Sequence, residues 1–596
     1  MSTKHVCDGA QALVHQETCR TKAKALVVFH AVFTKLRIFL ILMLAALPRH
    51  ISAQQLCPAS NLSQDSISQP ASEYLRGLHL HDTTQGTPIS RASVLTSFYR
   101  PCNYALAWTS KGKTTPAGRA VIDELRNSDA KGLNSQDYGW PRWGSRARAL
   151  EIQCDETPAE LAMFDLDLTV AFMRYLLDLN VGRVNPRALK ADFDTHRDVD
   201  SMANFIWTKI VPSQDIHHAI QEVEPSADGY KRVARAYSRY LELQRTADDV
   251  VLPPLQRKIS PGDVYDDFPT LIARLKQLDD MPADASFMQK PAIYEGAVVD
   301  GIKRFQIRHG LVPNGVLDFD TYKQLIVPIH QRAHQLSLTL ERWRWVQHSF
   351  EEAPVVINIP EYRLRAYDEH LHIMLSMRVI VGGSSHRRTP ILQGNLTTVI
   401  FHPYWNVPAS ITRNEILPKV ARDPNYLARN GYEVVSSRGG GGRSGAELIK
   451  GLRNGDLRVR QTPGDHNALG RVKFSFPNRY NVYMHGTPQT SLFQRNQRDL
   501  SHGCIRVEDP VSLAVWALRS QQGWTRSKVE ASMAGSSTSN VKLRKSIPVL
   551  IVYGTAIVEE SGEAHFFRDI YGYDVTLSRA LDHESDLRAK ADSEPR

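Results

Sequence analysis

The chain has 596 residues, enough for several domains, and its 42% apolar and 23% charged residues are those of an ordinary soluble globular protein. A formal net charge of +10 suits an anionic polymer as partner, whether nucleic acid, membrane surface or cell wall. No Lys/Arg tract or basic zipper singles out nucleic acid, which is set aside.

The N-terminus reads as a targeting signal over 1–53. Lys35 and Arg37 precede the apolar run 38–47, and Ile51-Ser52-Ala53 ends on a small residue before Gln54. The run is too short to span a bilayer alone. The longer apolar stretch from Ala25 is interrupted by His30, Lys35 and Arg37, so an uncleaved anchor, with membrane association through the N-terminus, stands second. There are six cysteines, Cys7, Cys19, Cys57, Cys102, Cys154 and Cys504. Cleavage after Ala53 leaves four, and Cys57, Cys102 and Cys154 could supply one disulfide in an oxidising compartment.

From 54 to 280 the pattern is largely helical. Apolar periodicity predicts a long helix over 159–179, stopped by Gly182 and Pro186, and another over 230–243. No catalytic constellation falls here, so the region reads as a scaffold. A small module follows over 285–330. Val298, Val299, Ile302 and Phe305 recur at helical spacing, Gly310 stops that helix, Asn314-Gly315 is a turn, and a second helix runs from Asp318 to Leu325. From Pro354 the pattern turns to strands, at 355–360, 364–368, 377–383 and 548–558. The fold class expected is multidomain α+β, with a mostly helical scaffold, a small helical module and a β-rich domain over 350–575. Within the last, 419–464 is polar and carries four consecutive glycines from Gly439, with a short helix over 446–452. It predicts a lid or binding loop rather than part of the packed sheet. Residues 576–596 read as a polar tail.

The stretch "YMHGTPQTSLFQRNQRDLSHGCIRVEDP", 483–510, gathers two histidines, a cysteine and an arginine. Acyl transfer needs a nucleophile, a base for its proton and donors for an oxyanion. Cys504 can be the nucleophile, and His485, at the end of the strand-like 481–484, can take its proton and hold the thiolate. The N–H groups of Gly503 and Cys504 lie in a glycine-bearing turn suited to an oxyanion. A zinc site would use His485, His502 and Cys504, but the spacing fits no zinc signature and no fourth ligand is evident. Structural histidines are the other alternative.

His485-Gly486-Thr487, a gap, then Ser501-His502-Gly503-Cys504-Ile505-Arg506 resembles the signature of the L,D-transpeptidase (YkuD) family. Further segments are similar to its large, YcbB-type members: "LTLERWRW" (338–345), "RRTPIL" (387–392), "HPYWNVPASI" (402–411), "QTPGDHNALGRVKF" (461–474), "FRDIYGYD" (567–574) and, in the scaffold, "LNVGRVNP" (179–186). "AVVDGIKRFQIRHGLVPNGVLDFDTYKQL" (297–325) resembles the three-helix peptidoglycan-binding module. The resemblance implies Cys504 as nucleophile and His485 as proton acceptor, oriented by the Gly486 carbonyl. It implies Ser501, His502 and Gly503 as the shell of the oxyanion site, and Arg506 as a substrate-carboxylate or loop-steadying residue. Tyr483 and Trp405 would line the cleft beneath a capping subdomain at 419–464. The implied reaction forms 3→3 cross-links through a cysteinyl thioester and releases D-Ala, with a hydrolytic carboxypeptidase or amidase as the alternative. A non-catalytic wall-binding protein is a third reading, against which His485 and Cys504 both stand. It implies no cofactor, stem peptides and glycan strands as partners, cell-wall synthases as further candidates, a periplasmic location and acylation by carbapenems.

Overall fold

A computed structural model describes residues 68–78, 89–152, 157–246, 248–284, 293–346, 350–384, 387–436 and 445–593. The expected signal over 1–53, Cys57, Cys154 and the glycine tract at 439–442 lie outside them. Among the described residues no helix is long and apolar enough to cross a membrane. The architecture is multidomain α+β.

The scaffold is built around α1 (Pro158–Val181). Thr157 and Glu160 form a capping box at its start, Pro158 takes the first helical position, and Gly182 ends it at φ +85°. A Cβ on Gly182 would also lie 2.6 Å from Glu341 Oε1, so glycine is required twice over. The helix is buried on all sides by aromatic neighbours that include Phe98, Trp108 and Trp143. Its carboxylates must therefore find partners. Asp165 accepts from the Ala107 and Trp108 N–H groups at 3.0 and 2.8 Å and from the Tyr99 hydroxyl at 2.7 Å. Cys102 is disulfide-bonded, and its partner lies outside the described residues.

Next come α2 (Asp228–Thr246) and the three helices α3 (Phe268–Gln277), α4 (Ala297–Arg308) and α5 (Phe319–Leu325). The small module is larger than the expected 285–330. Leu252, Leu255, Phe268, Leu271 and Leu275 share one core with Val298, Ile302, Phe305 and Leu325, so α3 belongs with α4 rather than with the scaffold. Among the described residues the amphipathic face of α3 is covered by this core. The next helix, α6 (Ile329–Arg344), packs along α2.

The scaffold lends β1 (Ala191–Asp192) to the sheet that dominates the rest of the chain. The chain enters it through β2 (Val355–Asn358), β3 (Arg363–Tyr367), β4 (Ile373–Gly382) and β5 (Ile391–Phe401). It leaves for β6 (Trp405–Asn406), β7 (Tyr432–Ser436) and β8 (Leu457–Gln461). It returns as β9 (Val472–Ser475), β10 (Met484–His485), β11 (Asp499–Ser501), β12 (Ile505–Val507) and β13 (Ser539–Val552). The strand order is β9-β10-β12-β4-β3-β2-β13-β5, and β5 pairs again with β9, so the sheet closes on itself. Val355, Leu364, Val379, Val399, Phe474, Met484 and Ile505 fill the interior. In the closed ring, residues that alternate with these point outward.

Strands β6, β8 and β7 form a separate three-stranded sheet. With α7 (Ala446–Asn454) it encloses its own core of Val407, Ile411, Leu417, Leu427, Leu452 and Val459. The described residues of the segment expected as a lid or capping subdomain over 419–464 pack in one core with Trp405, Val407 and Ile411, which precede that range. Burial alternates along β7 and β8, one face on this core and one outside. The hairpin of β14 (Ala556–Val558) and β15 (Ala564–Phe566) packs against α2 and α6. Residues 576–596, expected as a polar tail, instead belong through Ser593 to helix α8 (Tyr573–Ser593), which buries Leu577 and Arg588.

Candidate active site

Parallel pairing of β10 with β12 sets Met484 beside Ile505 and His485 beside Arg506. Met484 and Ile505 face the interior, so alternation sends Tyr483, His485, Cys504 and Arg506 to the outer face together. On the other side of β10, Lys473 of β9 is the register partner of His485 and joins the same face.

His485 is buried, and its Nδ1 lies 2.5 Å from the Gly486 carbonyl. A carbonyl only accepts, so the ring proton sits on Nδ1 and Nε2 is left as an acceptor. Burial, then the positive charge of Arg506 and Lys473, push the imidazole down to about 3. The Cys504 thiol is pushed above its ordinary value by burial, against the pull of the Tyr483 N–H and hydroxyl and of Lys473 and Arg506. Burial thus favours the uncharged form of both partners over the thiolate–imidazolium pair expected from sequence. Among the described residues no hydrogen bond joins Sγ to His485; Sγ meets the Asn481 carbonyl at 4.0 Å and the Tyr483 hydroxyl. Tyr483 in turn accepts from the Trp405 indole, so Trp405 carries a contact from the cap to the nucleophile. Burial, with the negative charge of Cys504, keeps Tyr483 protonated well past its usual range.

The turn before Cys504 is held from within. Ser501 Oγ donates to the Cys504 carbonyl at 2.6 Å and accepts the Gly503 N–H at 3.1 Å. Gly503 has φ +112°, a conformation that disfavours any side chain. Its N–H, expected among the oxyanion donors, is thus occupied by Ser501. The Cys504 N–H has no partner among the described residues. His502 points away from the thiol, and its Nε2 lies 2.5 Å from Glu415 Oε1 in the cap. Arg506 Nη1 donates to Gln489 Oε1 at 2.9 Å, while its Nε is buried without a partner. No group of three His, Cys, Asp or Glu side chains among the described residues is arranged to hold a metal ion.

Four residues of this neighbourhood had no role in the sequence reading. Thr389 Oγ1 donates to the Gly503 carbonyl at 2.8 Å, and Tyr571, whose hydroxyl donates to the Gly382 carbonyl at 2.5 Å, also accepts the Thr389 N–H at 3.1 Å. Glu415 receives both His502 and Arg387. Lys473 places Nζ 3.9 Å from the Tyr483 ring centroid. Its signal was a lone cation in the otherwise apolar strand "VKFSF".

A closed sheet that sets a thiol and an imidazole on one outer face beneath a capping subdomain is the frame of an L,D-transpeptidase catalytic domain. Residues 353–535 match the YkuD family model, described as the L,D-transpeptidase catalytic domain, and residues 93–236 match the model of a scaffold domain. The chain therefore carries a YkuD L,D-transpeptidase domain together with a scaffold domain, in a YcbB-like arrangement. A Haemophilus influenzae protein described, by inference, as an L,D-transpeptidase is 37% identical over 227 residues, 38% of this chain and 45% of that protein.

Proposed function

We propose that this chain cross-links peptidoglycan stems through a thioester on Cys504. The observation that carries the reading is the shared outer face of Cys504 and His485, with Nδ1 held by Gly486 and Nε2 free to accept. Because burial favours the neutral form of both groups, the proton moves as the bond forms. Sγ attacks the carbonyl at the L-centre of the third stem residue, and its proton passes to His485 Nε2. The oxyanion finds the unpartnered Cys504 N–H and the Tyr483 hydroxyl. Collapse expels D-Ala, whose amine takes the proton from His485. An acceptor amine then displaces the thiol, giving the amide of a 3→3 cross-link and a restored thiol.

Peptidoglycan as substrate belongs with a periplasmic protein, and the support for that location is the signal over 1–53. The exposed apolar side chains Ile307, Val312 and Phe319 support a glycan-retaining role for the module of α3 to α5. The test of the chemistry is incubation with purified disaccharide-tetrapeptides followed by mass spectrometry. Dimers linked 3→3 with one D-Ala released per link are expected. Tripeptides without dimers would assign the hydrolytic alternative, and unchanged tetrapeptide would overturn both.

A further inference from the structure

Across most of the molecule the buried cations have acids: Arg588 meets Asp178, Arg308 meets Asp280 and Arg342 meets Asp574. Arg332 is an exception, held on the Phe566 ring with only Gln335 and Gln324 as hydrogen-bond partners among the described residues, and the face around Cys504 is another. Lys473 rises between β5 and β10, rests on the Tyr483 ring and forms no ion pair with a carboxylate among the described residues. Arg506 has only the neutral Gln489 amide, and its Nε is unpartnered. Two partly desolvated cations without a counter-ion are costly unless a ligand brings one.

We propose that Lys473, with Arg506, binds the free terminal carboxylate of the donor stem and so selects donors that end one residue beyond the attacked carbonyl. The inference rests on Cys504 being the nucleophile. In a stem ending in D-Ala, the carboxylate carbon is three bonds from the carbonyl carbon that Sγ attacks. A cation on the same outer face as Sγ is therefore placed to meet that carboxylate. Lys473 is the register partner of His485 and its Nζ lies 3.9 Å from the centroid of the Tyr483 ring, the residue whose hydroxyl meets Sγ, while burial lowers its ammonium from the usual range.

Alkylation of Cys504 by iodoacetate and by iodoacetamide separates this from a general effect on the thiol. The two probes differ in one carboxylate, so thiolate content scales both rates and cancels in their ratio. Lys473→Met, checked for an unchanged melting temperature, is expected to lower the iodoacetate-to-iodoacetamide ratio roughly tenfold, the size of one charge-assisted contact. Lys473→Arg should retain most of the ratio. With peptide donors, Lys473→Met should raise KM for a tetrapeptide acid and leave a tetrapeptide amide unaffected. An identical ratio in all three proteins overturns the carboxylate role while leaving Cys504 as nucleophile. Equal slowing of both probes would reassign Lys473 to holding the thiolate and likewise overturns it. A folded wild-type protein that neither probe labels at Cys504 overturns the nucleophile itself.

Discussion

Two clusters of buried charge, one between α1 and α8 and one around Cys504, are built on opposite plans. In the first, Asp178 accepts from Arg588 at 2.6 Å, Arg197 at 2.9 Å and the Tyr138 hydroxyl at 2.7 Å, while Asp137 holds Arg183. Burial alone would raise the Asp178 carboxyl, but Arg588 and Arg197 outweigh it and hold the group well below the carboxylate range. In the second, burial favours the neutral imidazole and thiol, and the cations lack acids. The closed network joins parts of the chain; the open one leaves its electrostatic demand for a substrate to meet.

The contrast is broken most severely at the thiol. Cys504→Ala should abolish cross-linking with an unchanged melting temperature, and the mass gained by wild type on exposure to meropenem should be absent from the variant. Any adduct that survives in Cys504→Ala would reassign the acylated residue. His485→Ala should slow acylation by ~10²–10⁴-fold, the usual worth of a positioned base. In wild type the alkylation rate should climb with pH beyond the ordinary thiol range, because burial raises the Cys504 thiol and the thiolate appears only above it. A plateau beginning near about pH 6, the mark of a standing ion pair, would contradict the neutral resting state.

At the closed network the effect should fall on stability. Asp178→Ala strands Arg588 and Arg197 and is expected to cost ~3–5 kcal/mol in denaturant unfolding. Its acylation rate on a soluble donor should stay near wild type; a large kinetic defect would mean that the scaffold shapes the site. The smallest effect is expected from Trp405→Phe, which removes the indole N–H that Tyr483 accepts. A loss of about 1 kcal/mol, roughly fivefold in acylation rate, corresponds to one neutral hydrogen bond. No change in burst kinetics would uncouple the cap from the nucleophile.

Periodicity and punctuation made the long elements legible. The helix expected over 159–179 is α1, and the one expected over 230–243 is α2, each extended by a few residues at its ends. The strand signals at 355–360 and 364–368 became β2 and β3. Short strands carry little signal: β6, of two residues, was hidden and exists only through its partner, while β10 is the two-residue end of the strand-like stretch read over 481–484. The capping subdomain was expected over 419–464 from resemblance alone, since its apolar core residues are spread among charges and converge only in three dimensions. At the site, His485, Cys504 and Arg506 were legible through a compact two-part motif. Thr389, Glu415 and Tyr571 were not, since each reaches the nucleophile turn from more than 60 positions away in sequence. His502, expected in the shell of the oxyanion site, meets Glu415, an acid that no local spacing announces.

The bond between Arg588 and Asp178 spans 410 residues. Asp178 lies in the scaffold and its principal cation in α8, so the scaffold's buried anion is fully balanced only once α8 is docked. A chain cut short of Arg588 would leave that carboxylate short of its main partner, so the two regions share one stability although their apolar cores are separate.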